Sequence, residues 1–280
     1  SLIIPTYQRR QELCQCLNSL VSYFDPEARL THGITLEVIV TDDARDPQLS
    51  TFLREHYPWC LYTAGPGCGP AANRNHGAHQ SSADWLVFTD DDCLPQQGWI
   101  EAFAQYTDHC DVMEGKTSAA DIRTRIDQEC PINETGGYLW SCNFAIRREL
   151  FLQLGGFNEQ FPAATMEDVE LNQRINKSGL RRQFLPAAHV KHPWRSRKGR
   201  SFLSAKAQSI ATYVGLHPET EPAFSLPTQL LNLLRALKGT FGICYVTGTV
   251  QGLPRQVALD IYATFCNWRA VKRARIETKC

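Results

Sequence analysis

Three consecutive carboxylates follow an apolar run in Val87-Phe88-Thr89-Asp90-Asp91-Asp92. Side chains alternate along a strand, so extended backbone here sends Asp90 and Asp92 to one side and Asp91 to the other. Like charges so close repel, and at a sheet edge they require a cation or strong hydrogen bonds. Hard oxygen donors suit Mg²⁺ or Mn²⁺, which then meet substrate phosphates through few protein contacts. The alternative is a solvated acidic turn in which an aspartate caps a helix.

Other segments carry weaker signals of the same kind. Thr41-Asp42-Asp43 closes a second apolar run, where one carboxylate could accept from a base or ribose. Gly65, Gly67 and Gly69 lack the spacing of a P-loop or a dinucleotide fingerprint. They permit a tight turn ahead of a helix, whose N-terminal N–H groups can meet phosphate; a plain strand–helix turn is the alternative. Arg74, in Asn73-Arg74-Asn75, can reach phosphate or a neighbouring aspartate. Met166-Glu167-Asp168 opens a helix, where a carboxylate also suits the dipole. His192, in Val190-Lys191-His192-Pro193, could complete a metal site, whereas His76 and His79 read as structural.

The elements that must position these groups alternate strand and helix. Strands are expected at 2–4, 36–40, 60–62 and 85–89, with helices at 11–24, 49–55 and 71–80 between them. The run Leu36-Glu37-Val38-Ile39-Val40 reads as a strand buried on both faces. This alternation predicts an α/β fold with a mainly parallel, doubly wound sheet, whose ligands sit beyond the carboxyl ends of the strands. Further on, helices are expected at 98–109, 149–154 and 167–177, and strands at 112–117, 138–146 and 182–185. From about 195 the pattern turns helical after a basic run, Arg195, Arg197, Lys198 and Arg200. A boundary is therefore expected there, with a catalytic domain over 1–194 (halves 1–97 and 98–194) and a helical C-terminal region over 195–280.

In bulk the chain reads as an ordinary globular protein of 280 residues, with Lys+Arg and Asp+Glu balanced at 29 each. Zero net charge removes the usual electrostatic case for nucleic acid, and none is expected as a partner. Eleven cysteines lack any C-x-x-C pair, so free thiols in a reducing cytoplasm are expected rather than a disulfide framework or a zinc site. The chain opens directly on a core strand, leaving no stretch for a signal peptide, and no spanning helix is expected. An apolar stripe over 226–237, next to the basic run, allows peripheral contact with the cytosolic membrane face. The alternative is packing on the main domain.

Taken in order, these segments resemble glycosyltransferase family 2. The resemblance is carried by Ile3-Ile4-Pro5-Thr6-Tyr7, Val40-Thr41-Asp42-Asp43, Gly69-Pro70-Ala71-Ala72-Asn73-Arg74-Asn75 and Phe88-Thr89-Asp90-Asp91-Asp92. It continues through Asn143-Phe144-Ala145-Ile146-Arg147-Arg148, Gly155-Gly156-Phe157-Asn158-Glu159 and Glu167-Asp168-Val169-Glu170-Leu171, covering roughly 1–193. It implies the GT-A fold and an inverting transfer from a nucleotide diphosphate sugar to a hydroxyl acceptor, saccharide, lipid-linked or other. By the same resemblance Pro5, Thr6, Tyr7 and Arg9 lie by the nucleotide, Asp42 or Asp43 contacts the base, and Arg74 sits close by. Asp90 and Asp92 fall on the D-x-D motif, addressing ribose and metal, with Asp91 between them; Mn²⁺ or Mg²⁺ is the implied cofactor. Asp168 matches the catalytic base, with Glu167 beside it and no unusual upward pKa shift expected. His192 matches a histidine able to reach the metal or diphosphate, and Asn143 lines the sugar and acceptor pocket. No Q-x-x-R-W motif follows Glu167-Asp168, so a processive synthase is not expected. A nucleotidyltransferase, a retaining transferase and a non-catalytic nucleotide-sugar-binding module are the competing readings.

Overall fold

The computed structural model describes residues 1–24, 34–161 and 163–277. In chain order the elements are β1 (Leu2–Thr6), α1 (Arg10–Asn18), β2 (Val38–Asp42), α2 (Pro47–His56), β3 (Cys60–Ala64), α3 (Pro70–Gln80), β4 (Trp85–Thr89) and β5 (Leu94–Pro95). They continue with α4 (Trp99–Ala104), β6 (Val112–Ala119), β7 (Gln128–Glu129), β8 (Asn143–Arg147), α5 (Arg148–Gln153), α6 (Glu167–Ser178), β9 (Arg182–His192) and β10 (Arg195–Ser196). Helices α7 (Arg200–Leu216), α8 (Leu226–Thr247) and α9 (Leu253–Glu277) follow.

Eight strands form one sheet in the order β3-β2-β1-β4-β8-β6-β9-β5. The first four are parallel; β8 enters antiparallel to both β4 and β6, and β9 then runs parallel to β6. Strands β1 and β2 are buried along their whole length, which is why their sequences are continuously apolar rather than alternating. Apolar clusters cover both sheet faces, one centred on Leu2, Ile4, Val38 and Trp99, the other on Ile3, Phe88, Phe144 and Phe157. Local chemistry sets the helix starts. Asp46 caps α2 by accepting from Gln48 N, ahead of Pro47; Pro70 opens α3 after Gly69 at φ +94°.

Several boundaries differ from the sequence expectation. The expected 11–24 helix stops at Asn18, and a short 3-10 turn covers Val21–Phe24. Helix α4 ends at Ala104 rather than 109, and β9 runs to His192 rather than 185. The strand expected over 138–146 begins only at Asn143, because the backbone amides of Gly137, Tyr138 and Leu139 turn inward onto the Glu114 carboxylate. The described residues divide into two compact units, one of 1–120, 131–159 and 167–193, the other of 121–130, 160–166 and 194–280. The second unit takes two short segments, 121–130 and 160–166, besides the residues from 194 on.

In the second unit α9 lies against α7 and α8, while β7 and β10 form a two-stranded ribbon. Asp127 anchors it: the carboxylate receives Arg125 and Arg255, and a Cβ on Gly252 would stand 2.1 Å from its oxygen. The basic run is tied down as well. Arg197 pairs with Asp260, Lys198 lies over the Phe202 ring and Arg200 over Tyr262. The ten cysteines among the described residues form no disulfide.

Where β6 meets β9, the register shifts between Gly115 and Lys116. A Cβ at Gly115 would lie 2.3 Å from both the Ala188 carbonyl and the Asn143 amide nitrogen. Backbone cannot yield cheaply there, so Gly115→Ala should lower stability by roughly 1–3 kcal/mol in urea denaturation. Wild-type stability of that variant would contradict the close approach.

Candidate active site

The acidic triplet lies at the end of β4, and strand geometry stops one residue before it, at Thr89. The expected alternation therefore does not hold. Asp91 and Asp92 turn to the same cation: Arg9 Nη1 meets Asp91 at 2.8 Å and Nη2 meets Asp92 at 2.5 Å. Thr6, the last residue of β1, also donates to Asp91, at 2.8 Å. Asp90 turns instead to Arg74 on α3, at 2.6 Å. Asp91 and Asp92 are buried, so each needs this compensation.

Arg74 is buried too, lies 5.6 Å from the Phe157 ring centre, and reaches on to Glu167 at 3.4 Å. Burial alone would lower its pKa, and Asp90 and Glu167 more than reverse this, so the guanidinium stays charged. Glu167 and Asp168 start α6 side by side, yet differ in surroundings. Glu167 is buried against Arg74, whereas Asp168 is partly exposed and accepts from Val169 N at 2.8 Å. Burial, reinforced by Asp168, pushes the Glu167 carboxyl up to about 8 against the pull of Arg74. Loss of solvent, with a smaller push from Asp90, raises Asp168 as well against the pull of Val169 N and Arg74, contrary to the expectation of an unshifted base.

His192 closes β9 next to Asp92, with Nε2 3.5 Å from a carboxylate oxygen. Its Nδ1 lies 2.8 Å from the Pro193 carbonyl, which assigns the proton to Nδ1 and leaves the Nε2 lone pair toward Asp92. Burial lowers the His192 pKa, so the ring is neutral. A carboxylate oxygen and an imidazole lone pair facing each other form a donor set that fits Mn²⁺ or Mg²⁺. Cys93 completes a trio whose ligand atoms lie within 4.8 Å of one another. Its thiol is held well above its ordinary pKa by burial, and it donates to the Cys142 carbonyl, so it is no ligand for a hard cation.

The second acidic pair splits by role. Asp42 is fully buried and accepts from Ala44 N, Asp46 N and the Tyr62 hydroxyl, which holds the loop after β2. Asp43 is partly exposed and accepts from Gly67 N and Gly69 N at 2.7 and 2.8 Å, fastening the glycine turn. Pro5 is buried in β1, paired with Thr41, and Tyr7 projects outward at 58% exposure.

Asn143, expected to line the sugar and acceptor pocket, is buried at the start of β8: its amide donates to the Lys116 and Ala188 carbonyls and its oxygen accepts from Trp99, so it joins β8, β6, β9 and α4. Asn73 plays a similar part, donating to the Thr41 carbonyl, as does Asn75 through Phe157 and Glu159. Sequence reasoning missed Glu114. Its signal is a lone acid inside the buried strand segment Val112-Met113-Glu114, a position that demands partners.

Comparison with known proteins agrees with this geometry. Residues 1–118 match the family model of Glycosyl transferase family 2, and 128–195 match that of the N-terminal domain of galactosyltransferase. The pre-mycofactocin glycosyltransferase of Mycobacterium tuberculosis is 28% identical over 209 residues, covering 66% of this chain and 43% of that protein. The chain spans about half the length of the curated relatives it matches. Among solved structures, the Pyrobaculum calidifontis mannosyltransferase PcManGT, in complex with GDP-Man and Mn²⁺, superposes with a TM-score of 0.57 at 20% identity, over 98% of this chain and 84% of that one. TarS of S. aureus in complex with UDP-GlcNAc gives 0.56 at 18%, over 99% and 90%. These likenesses show the fold, a GT-A sheet with helices after it, and the family 2 model matches the strands that carry the acidic triplet.

Proposed function

We propose that the chain moves a sugar from a nucleotide diphosphate sugar to an acceptor hydroxyl, with inversion and with a divalent cation, in the building of a glycan or polysaccharide. The observation that carries this reading is the convergence of Asp90, Asp91, Asp92 and Glu167 on Arg9 and Arg74, with Asp168 next to Glu167 on α6 and neutral His192 facing Asp92. Solved relatives of the same fold hold GDP-Man with Mn²⁺ and UDP-GlcNAc, which supports a nucleotide-sugar donor.

Asp92 and His192 would hold the cation, Mn²⁺ or Mg²⁺, which offsets charge on the departing diphosphate. Thr6, Tyr7 and Arg9 border the nucleotide on the β1 side, and Asp43 with the glycine turn borders its base. Asp90 addresses the ribose, with Arg74 close to the nucleotide. Glu167 is engaged by Arg74, which leaves Asp168 to take the acceptor's proton. As that oxygen bonds to the anomeric carbon, the bond from that carbon to the diphosphate breaks on the opposite face. Attack from one side, with no covalent intermediate, gives inversion.

Contact with an anionic membrane surface belongs to the same reading. Helix α8 is inverted: its buried residues are the polar Gln229 and Thr240, while Leu230, Leu231, Leu234, Phe241, Tyr245 and Val246 are exposed. It carries Arg235 and Lys238 and no acidic residue. The positive charge thus comes from α8 itself rather than from the Arg195–Arg200 run, which is partnered within its own unit. No helix among the described residues is long and apolar enough to cross a membrane, so the contact would be interfacial. Cosedimentation with phosphatidylglycerol vesicles at low salt should be strong and should be lost in Leu234→Asp/Tyr245→Asp. Failure of the wild type to sediment would refute the contact.

The base assignment is tested by kcat. Asp168→Asn should lower it about 10²–10⁴-fold with donor affinity nearly intact. A base works deprotonated, so the rate should climb with pH, and burial of both carboxyls places that climb above the ordinary carboxylate range. Glu167→Gln leaves Asp168 in place, so it should cost less. If Asp168→Asn stays active while Glu167→Gln fails, the base is Glu167; if both stay active, neither is.

A further inference from the structure

The loop between β7 and β8 carries two aromatic rings that the catalytic reading does not use. Tyr138 and Trp140 lie nearly parallel, 5.3 Å between ring centres and 11° between planes, and Tyr138 is half exposed. Leu139 between them points inward and is fully buried, with its backbone in the left-handed region at φ +47°. A leucine holds that conformation only when its surroundings impose it.

Here they do. The buried Glu114 carboxylate accepts from three consecutive backbone amides, Gly137, Tyr138 and Leu139, at 2.9–3.1 Å, and from the Asn133 side chain. Arg182 neutralises it from β9 at 2.5 Å. Burying an acid within an apolar strand solely to shape a surface loop is costly, and what the loop presents outward is the aromatic pair.

Two contacts fix where this pair sits. The Gly137 carbonyl accepts from the Asn172 amide at 3.2 Å, and Asn172 lies four residues after Asp168 on α6, on the same helix face about 6 Å away. At the other end of the loop the Trp140 carbonyl accepts from Asn143 N, and Asn143 pairs with Thr89, the residue before Asp90. The rings thus stand between the helix of the proposed base and the edge that carries the acidic triplet. Polar groups border them: Arg182 reaches the Asn172 and Asn176 side chains at 2.5 and 3.0 Å.

We propose that Tyr138 and Trp140 form the platform on which a pyranose ring of the acceptor lies, so that the acceptor is itself a saccharide. The axial C–H face of a pyranose is flat and apolar and covers an aromatic ring, while its hydroxyl rim takes hydrogen bonds from amides and guanidinium groups. This assignment rests on the transferase reading, because it uses the distance to Asp168 to choose acceptor over donor.

Saturation-transfer NMR on the full chain with Mn²⁺ and UDP tests it, using methyl β-glucoside, methyl α-mannoside, methyl N-acetyl-β-glucosaminide and citronellyl phosphate as probes. At least one glycoside should receive saturation mainly at the C–H protons of one ring face. The signal should fall at least fivefold in Tyr138→Ala and return in Tyr138→Phe, with Mn²⁺-dependent UDP binding by calorimetry unchanged across the three proteins. Transfer to no glycoside, transfer that survives Tyr138→Ala, or transfer to citronellyl phosphate alone would overturn the platform. Absent UDP binding with glycoside binding intact would count against the transferase reading and leave the platform standing.

Discussion

Charge compensation among buried groups is the constraint on which the rest of this structure depends. Four carboxylates, Asp90, Asp91, Asp92 and Glu167, converge at one edge of the sheet and meet two guanidinium groups, Arg9 and Arg74, with Asp168 next to Glu167. Removing any one charge from that set would strand a partner out of water, which is costly. The set is assembled from distant segments: the turn after β1, the first turns of α3, the end of β4, the start of α6 and the end of β9. The fold is therefore held to the site as much as the site is held by the fold. Burial, reinforced by neighbouring carboxylates, raises Glu167 to about 8 and raises Asp168 as well, and a divalent cation would relieve the negative charge gathered there.

The sheet supplies the fixed edge that this arrangement needs. Four parallel strands bring the turns after β1, β2 and β4 to one side, and antiparallel β8 returns the chain to that side just before Asn143. Buried amides then lock the loops to the strands. Asn73 ties α3 to the end of β2, Asn75 ties it to the Phe157 segment, and Asn143 joins three strands to Trp99. Each is a short polar side chain with its hydrogen bonds made inside the core, which fixes distances that apolar packing alone would leave looser.

Much of this was legible in the sequence, for physical reasons that differ by element. The central strands were readable because burial on both faces demands unbroken apolar runs, and α6 because its apolar positions recur at helical spacing. The directions of Asp90, Asp91 and Asp92 were not, since the alternation rule applies to a strand and the strand ends at Thr89. The partners of Asn143 were not readable either, because the carbonyls and the indole that it joins lie on three distant segments. The segment 138–142 read as strand because Tyr138, Leu139 and Trp140 are strand-forming types; the overriding contact comes from Glu114, more than twenty residues away. Long-range electrostatics of that kind leaves no periodic trace.

The central claim is that the acidic edge receives a divalent cation together with a nucleotide diphosphate sugar. It is tested most directly by incubating the chain with UDP-, GDP- and dTDP-sugars and quantifying the nucleoside diphosphate released. Release from one class of donor is predicted in Mn²⁺, falling about 10²-fold or more in EDTA and in Asp92→Ala. Release that is equal with and without metal, and undiminished in Asp92→Ala, would contradict the account.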